Sequence, residues 1–243
     1  MTDNSTLIKE AFEQPQWYLQ GTSYNIKLRT EIIAEMLGQK AFESILDIGC
    51  GDGSLTRPLL KTQTRLTLVD ASQSMLRIAC SRIPAEMASH VQTVNADFMA
   101  AELPLESFDL INCVGVLAYI ERRQEFIAKI RSLLKPGGSL TIECTDGPHF
   151  INRIVVAYAA LRSLSKPPQM RTIVRSSAEV IEICQNLGFR LRASYRYSLP
   201  LPLIRKLMTQ SCSYRTVRMI FGTARVNRNS RLGNECIYHF RLD

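Results

Sequence analysis

Three acids and a run of alternate glycines mark where this sequence could do chemistry. Asp47 opens a turn with glycines at 49, 51 and 53, Asp70 follows about 20 residues on, and Asp97 lies beyond it. Glycines in such a turn allow positive φ and let a ligand approach the backbone without meeting a Cβ. A carboxylate at 70 can accept both hydroxyls of a ribose, and one at 97 can accept from an amino group. The turn follows the apolar run SILDI and precedes SLTRPLL, which predicts a strand, a loop and a helix from Ser54. The start of that helix would offer free N–H groups and the positive end of its dipole to an anion. The dinucleotide fingerprint G-x-G-x-x-G is not met, because Ser54 occupies its last position. A glycine turn that binds nothing fits the same residues, so the elements around it must decide.

Those elements alternate. RLTLVD at 65–70 is a second strand, and Ser72 caps a helix, SQSMLRIACSRI, that stops at Pro84. Residues 91–98 form a third strand, ending in Asp97 and an aromatic, Phe98. Residues 108–114 form a fourth. A helix over 122–134 stops at Lys135-Pro136-Gly137-Gly138 before a fifth strand at 139–144. Ser176 and Glu179 read as a capping box opening a helix that ends at Gly188. Residues 189–198 then alternate, with Phe189, Leu191, Ala193, Tyr195 and Tyr197 on one face, and 235–242 is the last strand.

The spacing D-x-G-x-G-x-G at 47–53 resembles motif I of the class I S-adenosylmethionine-dependent methyltransferases, in their small-molecule type. VDASQSML at 69–76 closely matches the motif that follows it in that family, and LLKPGGSLTIE at 133–143 is a frequent landmark. The resemblance covers roughly residues 24–145. It implies an α/β fold: a Rossmann-like doubly wound seven-stranded sheet with an antiparallel last strand, plus helical cap insertions. It also implies S-adenosylmethionine as cofactor and in-line transfer of its methyl group, a step in which positioning can supply roughly 7–11 kcal/mol. The cofactor residues implied are Tyr24 and Arg29 at the methionine end and Asp47, Gly49, Cys50 and Gly51 in the loop. Asp70 and Ala71 would meet the ribose, Asp97 the adenine amine, Met75 and Phe98 the ring faces, and Cys113 the strand-four tip. Tyr119, Asp146 and His149 follow strands four and five and could face the acceptor; a base there is worth about 10²–10⁴-fold. No nucleophile elbow is present, and His90 and His239 lack ligand spacing, so no metal is expected.

The domain reading is an N-terminal helical lid over 1–43 and a methyltransferase domain over 44–243, with cap insertions at about 147–175 and 199–234. Trp17 and Tyr18 belong to the lid or pack on the core. Seven scattered cysteines without a C-x-x-C pair, and an N-terminus without a basic-then-apolar segment, predict a reducing, cytoplasmic setting. Residues 1–149 carry 14 Lys and Arg against 18 Asp and Glu, and 150–243 carry 16 against 4, giving the net +8. A basic carboxyl-terminal cap beside apolar helices favours an anionic or lipophilic small molecule, or contact with an anionic membrane surface. It also keeps nucleic acid open, although no appended RNA-binding module is visible. The strand-four end, Asn112-Cys113-Val114-Gly115, lacks the [DN]-P-P-[FYW] of enzymes acting on exocyclic nitrogens, which counts against nucleobase amines. The expected reaction is therefore methylation of a small-molecule oxygen. The alternatives are an RNA methyltransferase and a cofactor-binding partner protein without catalysis.

Overall fold

The computed structural model describes residue 13 and residues 23–163, 173–198 and 208–243. Trp17 and Tyr18, residues 1–12 and 14–22 of the expected lid, and 164–172 and 199–207 of the two expected insertions lie outside the described residues. One sheet of seven strands runs through the described chain in the order β3-β2-β1-β4-β5-β7-β6. Its strands are β1 Ser44–Ile48, β2 Arg65–Asp70, β3 Val91–Asn95, β4 Phe108–Cys113, β5 Leu134–Thr145, β6 Phe189–Tyr197 and β7 Glu235–Leu242. The first five are parallel, and β7 is antiparallel to both β5 and β6. The expected doubly wound sheet with its reversed last strand is thus what the chain forms.

Side-chain alternation along the strands builds two cores. Leu46, Ile48, Ile111, Cys113, Leu140 and Ile142 point to the face covered by α3 (Arg123–Leu133) and α5 (Ser177–Asn186). Ile45, Leu66, Leu68 and Leu110 point to the other face, under α1 (Ser23–Leu37), α2 (Gln73–Ser81) and α6 (Gln210–Phe221). Helix α1 buries Leu28, Ile32, Ile33 and Leu37 there, four of the five positions that its apolar spacing predicts, with Met36 half-buried. Ser72 caps α2 as expected, its Oγ accepting from Met75 N at 3.2 Å. The remaining described helix, α4 (Phe150–Ser163), follows β5 directly and exposes Phe150, Ile154 and Val156.

Four expectations are corrected. No α-helix follows the glycine turn: residues 54–60 are turns and a three-residue 3₁₀ helix at Arg57–Leu59, because Pro58 cannot continue a hydrogen-bonded helix. Strand β5 starts at Leu134 instead of Ser139, with the K-P-G-G residues extended beside a register shift against β4. The capping box is half made, since Ser176 Oγ accepts from Ala178 N while Glu179 pairs with Arg175. On β6 the alternation weakens at the sheet edge, where Leu191 is exposed next to a bulge.

The basic carboxyl-terminal segment also differs from an open cationic cap. Arg218 of α6 donates to Glu35 of α1 at 2.6 Å, Ala224 N donates to the same carboxylate at 2.7 Å, and Tyr214 O–H reaches Glu31. Arg196 pairs with Asp146, and Arg190 with Asp243. Part of the asymmetry is therefore paired between the two halves, while Arg192, Arg215, Arg225, Arg228 and Arg231 are exposed. Glu35→Ala leaves the Arg218 guanidinium without its acid and should cost about 1–3 kcal/mol of stability, read from urea unfolding; an unchanged midpoint refutes the tie between α1 and α6.

Candidate functional site

The strand order reverses between β1 and β4, where their connections leave in opposite directions and open a crevice at the strand ends. The glycine turn lies at that point. Gly49 and Cys50 donate backbone N–H groups to Val69 O at 2.8 and 3.2 Å, closing the turn onto β2. Gly49 and Gly51 have φ of +63° and +52°. A Cβ on Gly49 would stand 2.4 Å from Val116 Cγ2, whereas one on Gly51 would meet nothing within 4 Å. Gly49 is thus a packing requirement, and Gly51 lines open space.

Asp70 fastens the turn from the end of β2. Its Oδ2 accepts from Gly51 N and its Oδ1 from Ser72 N, both at 2.9 Å. Burial pushes its carboxyl above the ordinary value in spite of these donors. Each oxygen keeps a further lone pair. Beside it, the Glu13 carboxylate accepts from Gln73 N at 3.0 Å and Ser74 Oγ at 2.6 Å, at the start of α2. Ala71 lies between Asp70 and the Ser72 cap, its carbonyl accepting from Asn95 Nδ2 at 3.1 Å.

Beneath the turn runs a buried chain of hydrogen bonds. Thr141 Oγ1 donates to Asn112 Oδ1, Asn112 Nδ2 donates to Thr56 Oγ1 at 2.7 Å, and Thr56 Oγ1 donates to Asp47 Oδ2 at 2.6 Å. Asp47 is buried, and desolvation pushes its carboxyl up to about 7, with Thr56 opposing the rise. Asp52, inside the turn, accepts from Arg82 and from Ser54 Oγ, which holds it away from any ligand role.

At the neighbouring tip, Asp97 is exposed and accepts from Met99 N at 2.7 Å. Phe98, expected over an adenine ring, instead packs edge-on against Phe126 at 5.0 Å inside the core. Lys129 Nζ fixes that loop by donating to the carbonyls of Phe98, Met99 and Ala101. Met75 is fully buried, and so is Cys113 at the end of β4. Burial raises the Cys50 and Cys113 thiols, which leaves both protonated.

Residues 46–140 match the family model described as a methyltransferase domain. Over those residues the chain is similar to that family. An uncharacterized methyltransferase of Mycobacterium tuberculosis is 29% identical over 119 residues, 49% of this chain and 59% of that protein. The demethylmenaquinone methyltransferase of Tropheryma whipplei is 35% identical over 108 residues, 44% of each. The chain thus spans about half the length of these curated relatives. Among solved structures, magnesium protoporphyrin IX methyltransferase from Synechocystis PCC 6803, with bound SAH, superposes with a TM-score of 0.68. It does so at 14% identity, over 99% of this chain and 100% of that one.

Beyond the ends of β4 and β5, the residues expected to face the acceptor are largely engaged. Asp146 Oδ1 accepts from Ser177 N at 3.1 Å and Oδ2 pairs with Arg196. His149 Nε2 lies 2.9 Å from Arg231 O, while its Nδ1 accepts from Ile151 N at 3.3 Å. A single neutral tautomer satisfies both contacts, and its accepting nitrogen is taken. Tyr119 sits in a 3₁₀ turn after β4, its phenol raised by burial with Arg29 opposing.

Arg29 organises a second acidic group that the sequence reading missed. Its Nε and Nη2 hold Glu143 Oε1 and Oε2, each at 2.7 Å, and Tyr197 O–H donates to the same carboxylate at 2.9 Å. Its Nη1 lies 3.9 Å from where a Gly115 Cβ would stand, above the β4 tip. Tyr24, the other residue expected at the methionine end, is buried on the same helix and donates its N–H to Gln210 Oε1 at 3.2 Å. Glu235, at the start of β7, accepts from Thr145 Oγ1 at 2.9 Å, and burial with the nearby charge of Glu143 pushes its carboxyl up to about 7. The signal was present in β5, where Thr141, Glu143 and Thr145 alternate with Leu140, Ile142 and Cys144.

Because Asp47 titrates near 7 when folded and near 3.8 otherwise, the folded chain holds an extra proton between those values. Stability from this group falls as pH rises through that window. Asp47→Asn removes the carboxyl, so its unfolding free energy should decline less than wild type between about pH 4 and pH 7 in urea titrations. Parallel curves would overturn the assignment.

Proposed function

We propose that this chain is an S-adenosylmethionine-dependent methyltransferase acting on a small-molecule acceptor, at an oxygen of a largely apolar compound. The observation that carries the cofactor reading is the Gly51–Asp70 pair: a turn glycine open on its ligand side, held by a partly exposed carboxylate at the switch point. S-adenosylmethionine supplies a sulfonium-bound methyl group. Gly51 would let it approach the loop backbone, Asp70 would accept from the ribose hydroxyls, and exposed Asp97 would accept from the adenine amine. Asp47 and its buried partners would fix the loop from below.

The fully buried Met75 and the core-facing Phe98 ring would shape the floor of that site more than cover a ring. Relatives named for demethylmenaquinone and magnesium protoporphyrin IX support a small molecule as acceptor. An apolar acceptor is favoured over an anionic one because Arg175, Arg196 and Arg218 are spent on Glu179, Asp146 and Glu35. The exposed Phe150, Ile154 and Val156 of α4 offer an apolar surface directly after β5.

With Asp146 and His149 engaged, Glu235 is the acid best suited to take a hydroxyl proton. It is partly exposed, beyond the carboxyl end of β5, and oriented by Thr145. Contact with an anionic membrane surface stays compatible with the exposed α4 face, and no helix among the described residues is long and apolar enough to cross a membrane.

Incubation with methyl-labelled S-adenosylmethionine and fractionated host extract, followed by mass spectrometry, should yield a labelled small molecule; label in RNA alone would overturn the acceptor class. By calorimetry, Asp70→Ala should weaken S-adenosylhomocysteine binding about tenfold or more, since a hydrogen bond to a charged group contributes roughly 1.5–3 kcal/mol. With the labelled acceptor in hand, Glu235→Gln should lower kcat about 10²-fold at pH 8 and remove the rate–pH limb near 7, with cofactor affinity kept. Retention of that limb would exclude Glu235 as the base.

A further inference from the structure

Two cysteines stand opposite each other on the α3 and α5 face of the sheet. In the antiparallel ladder Cys144 of β5 is the direct partner of Cys236 of β7. That placement sets Cα atoms about 4.5–5.5 Å apart, within the roughly 4.4–6.8 Å that a disulfide spans. Both thiols are buried and unoxidised. Cys113, the remaining strand cysteine, pairs in register with Ile48 and Ile142 instead.

Two small core residues would need no cation, yet one is there. Arg196 of β6 places Nε 3.2 Å from Cys236 Sγ, while its Nη2 holds Asp146 and Ser177 Oγ. The neighbouring Cys144 thiol and this guanidinium bring the Cys236 thiol down to about 7, and Cys144 stays well above its ordinary value. A thiolate beside a thiol is the arrangement that stepwise oxidation requires.

We propose that Cys236 and Cys144 form an oxidisable dithiol, a modification site for a small hydroperoxide such as hydrogen peroxide. The Cys236 sulfur attacks one peroxide oxygen, the O–O bond breaks, and hydroxide leaves and is protonated to water, giving a sulfenic acid. Cys144 then attacks Cys236 Sγ, the S–S bond forms, and the sulfenic oxygen departs as a second water. The two thiols lose two electrons and the peroxide gains them. Closure removes the sulfur charge that Arg196 faces and ties β7 to β5 two residues before Asp146. A dithiol reductant reverses it.

The test treats the full-length protein with increasing hydrogen peroxide, alkylates the remaining thiols after denaturation, and maps unreduced peptides by mass spectrometry. A peptide pair linking Cys144 to Cys236 should accumulate and disappear with dithiothreitol. Cys144→Ser should stop at a dimedone-reactive sulfenic acid on Cys236, and Arg196→Gln should slow the reaction about tenfold at neutral pH. Recovery of both as free thiols while exposed Cys80 and Cys212 become oxidised would overturn the proposal, whether or not either variant folds.

Discussion

A buried polar group must find its partner inside the protein, and that constraint shapes the centre of this molecule. Asp47, Thr56, Asn112 and Thr141 are all sealed from solvent on the face beneath α1. Each satisfies the next, from β5 through β4 to the loop and back to β1. Removing one member strands its neighbours at a cost of about 1–3 kcal/mol each. The glycine turn above therefore rests on a floor that cannot slide between strands. Asp70 adds a second fixing from the side, and the two together hold the loop open toward Gly51.

What was legible in the sequence follows from which physical signal was local. Strand alternation and turn glycines are local, so the seven strands and the helices α2, α3 and α5 could be read directly, while the reversal of the last strand came with the family resemblance. The acids at 47, 70 and 97 stood out because each ends or nearly ends an apolar run. Side-chain direction was not legible. Phe98 turns inward because Phe126, 28 positions later, offers it an edge-on contact and Lys129 pins its carbonyl. His149 was attractive as a base until Arg231 and the Ile151 amide occupied both ring nitrogens, a fact of loop placement.

Charge was misleading for a related reason. Counting by halves of the chain gives a basic carboxyl-terminal segment, but ion pairs form across space. Arg218 meets Glu35 and Arg196 meets Asp146, so acids of one half neutralise bases of the other. Glu143 and Glu235 meanwhile concentrate negative charge at the end of β5, with Arg29 clamped on the first.

The tie between α1 and α6 bears on how the chain is made. Glu35 emerges from the ribosome early, while Arg218 and Ala224 emerge some 180 residues later. At the usual pace of bacterial or eukaryotic synthesis, roughly 5–20 residues per second, α1 waits for many seconds without its partner. Strands β1 to β5 can pair vectorially in that interval and cover the apolar face of α1, but Glu31 and Glu35 lack their partners until α6 follows. Nascent molecules would therefore carry an unpaired acidic edge on α1 until α6 has been made.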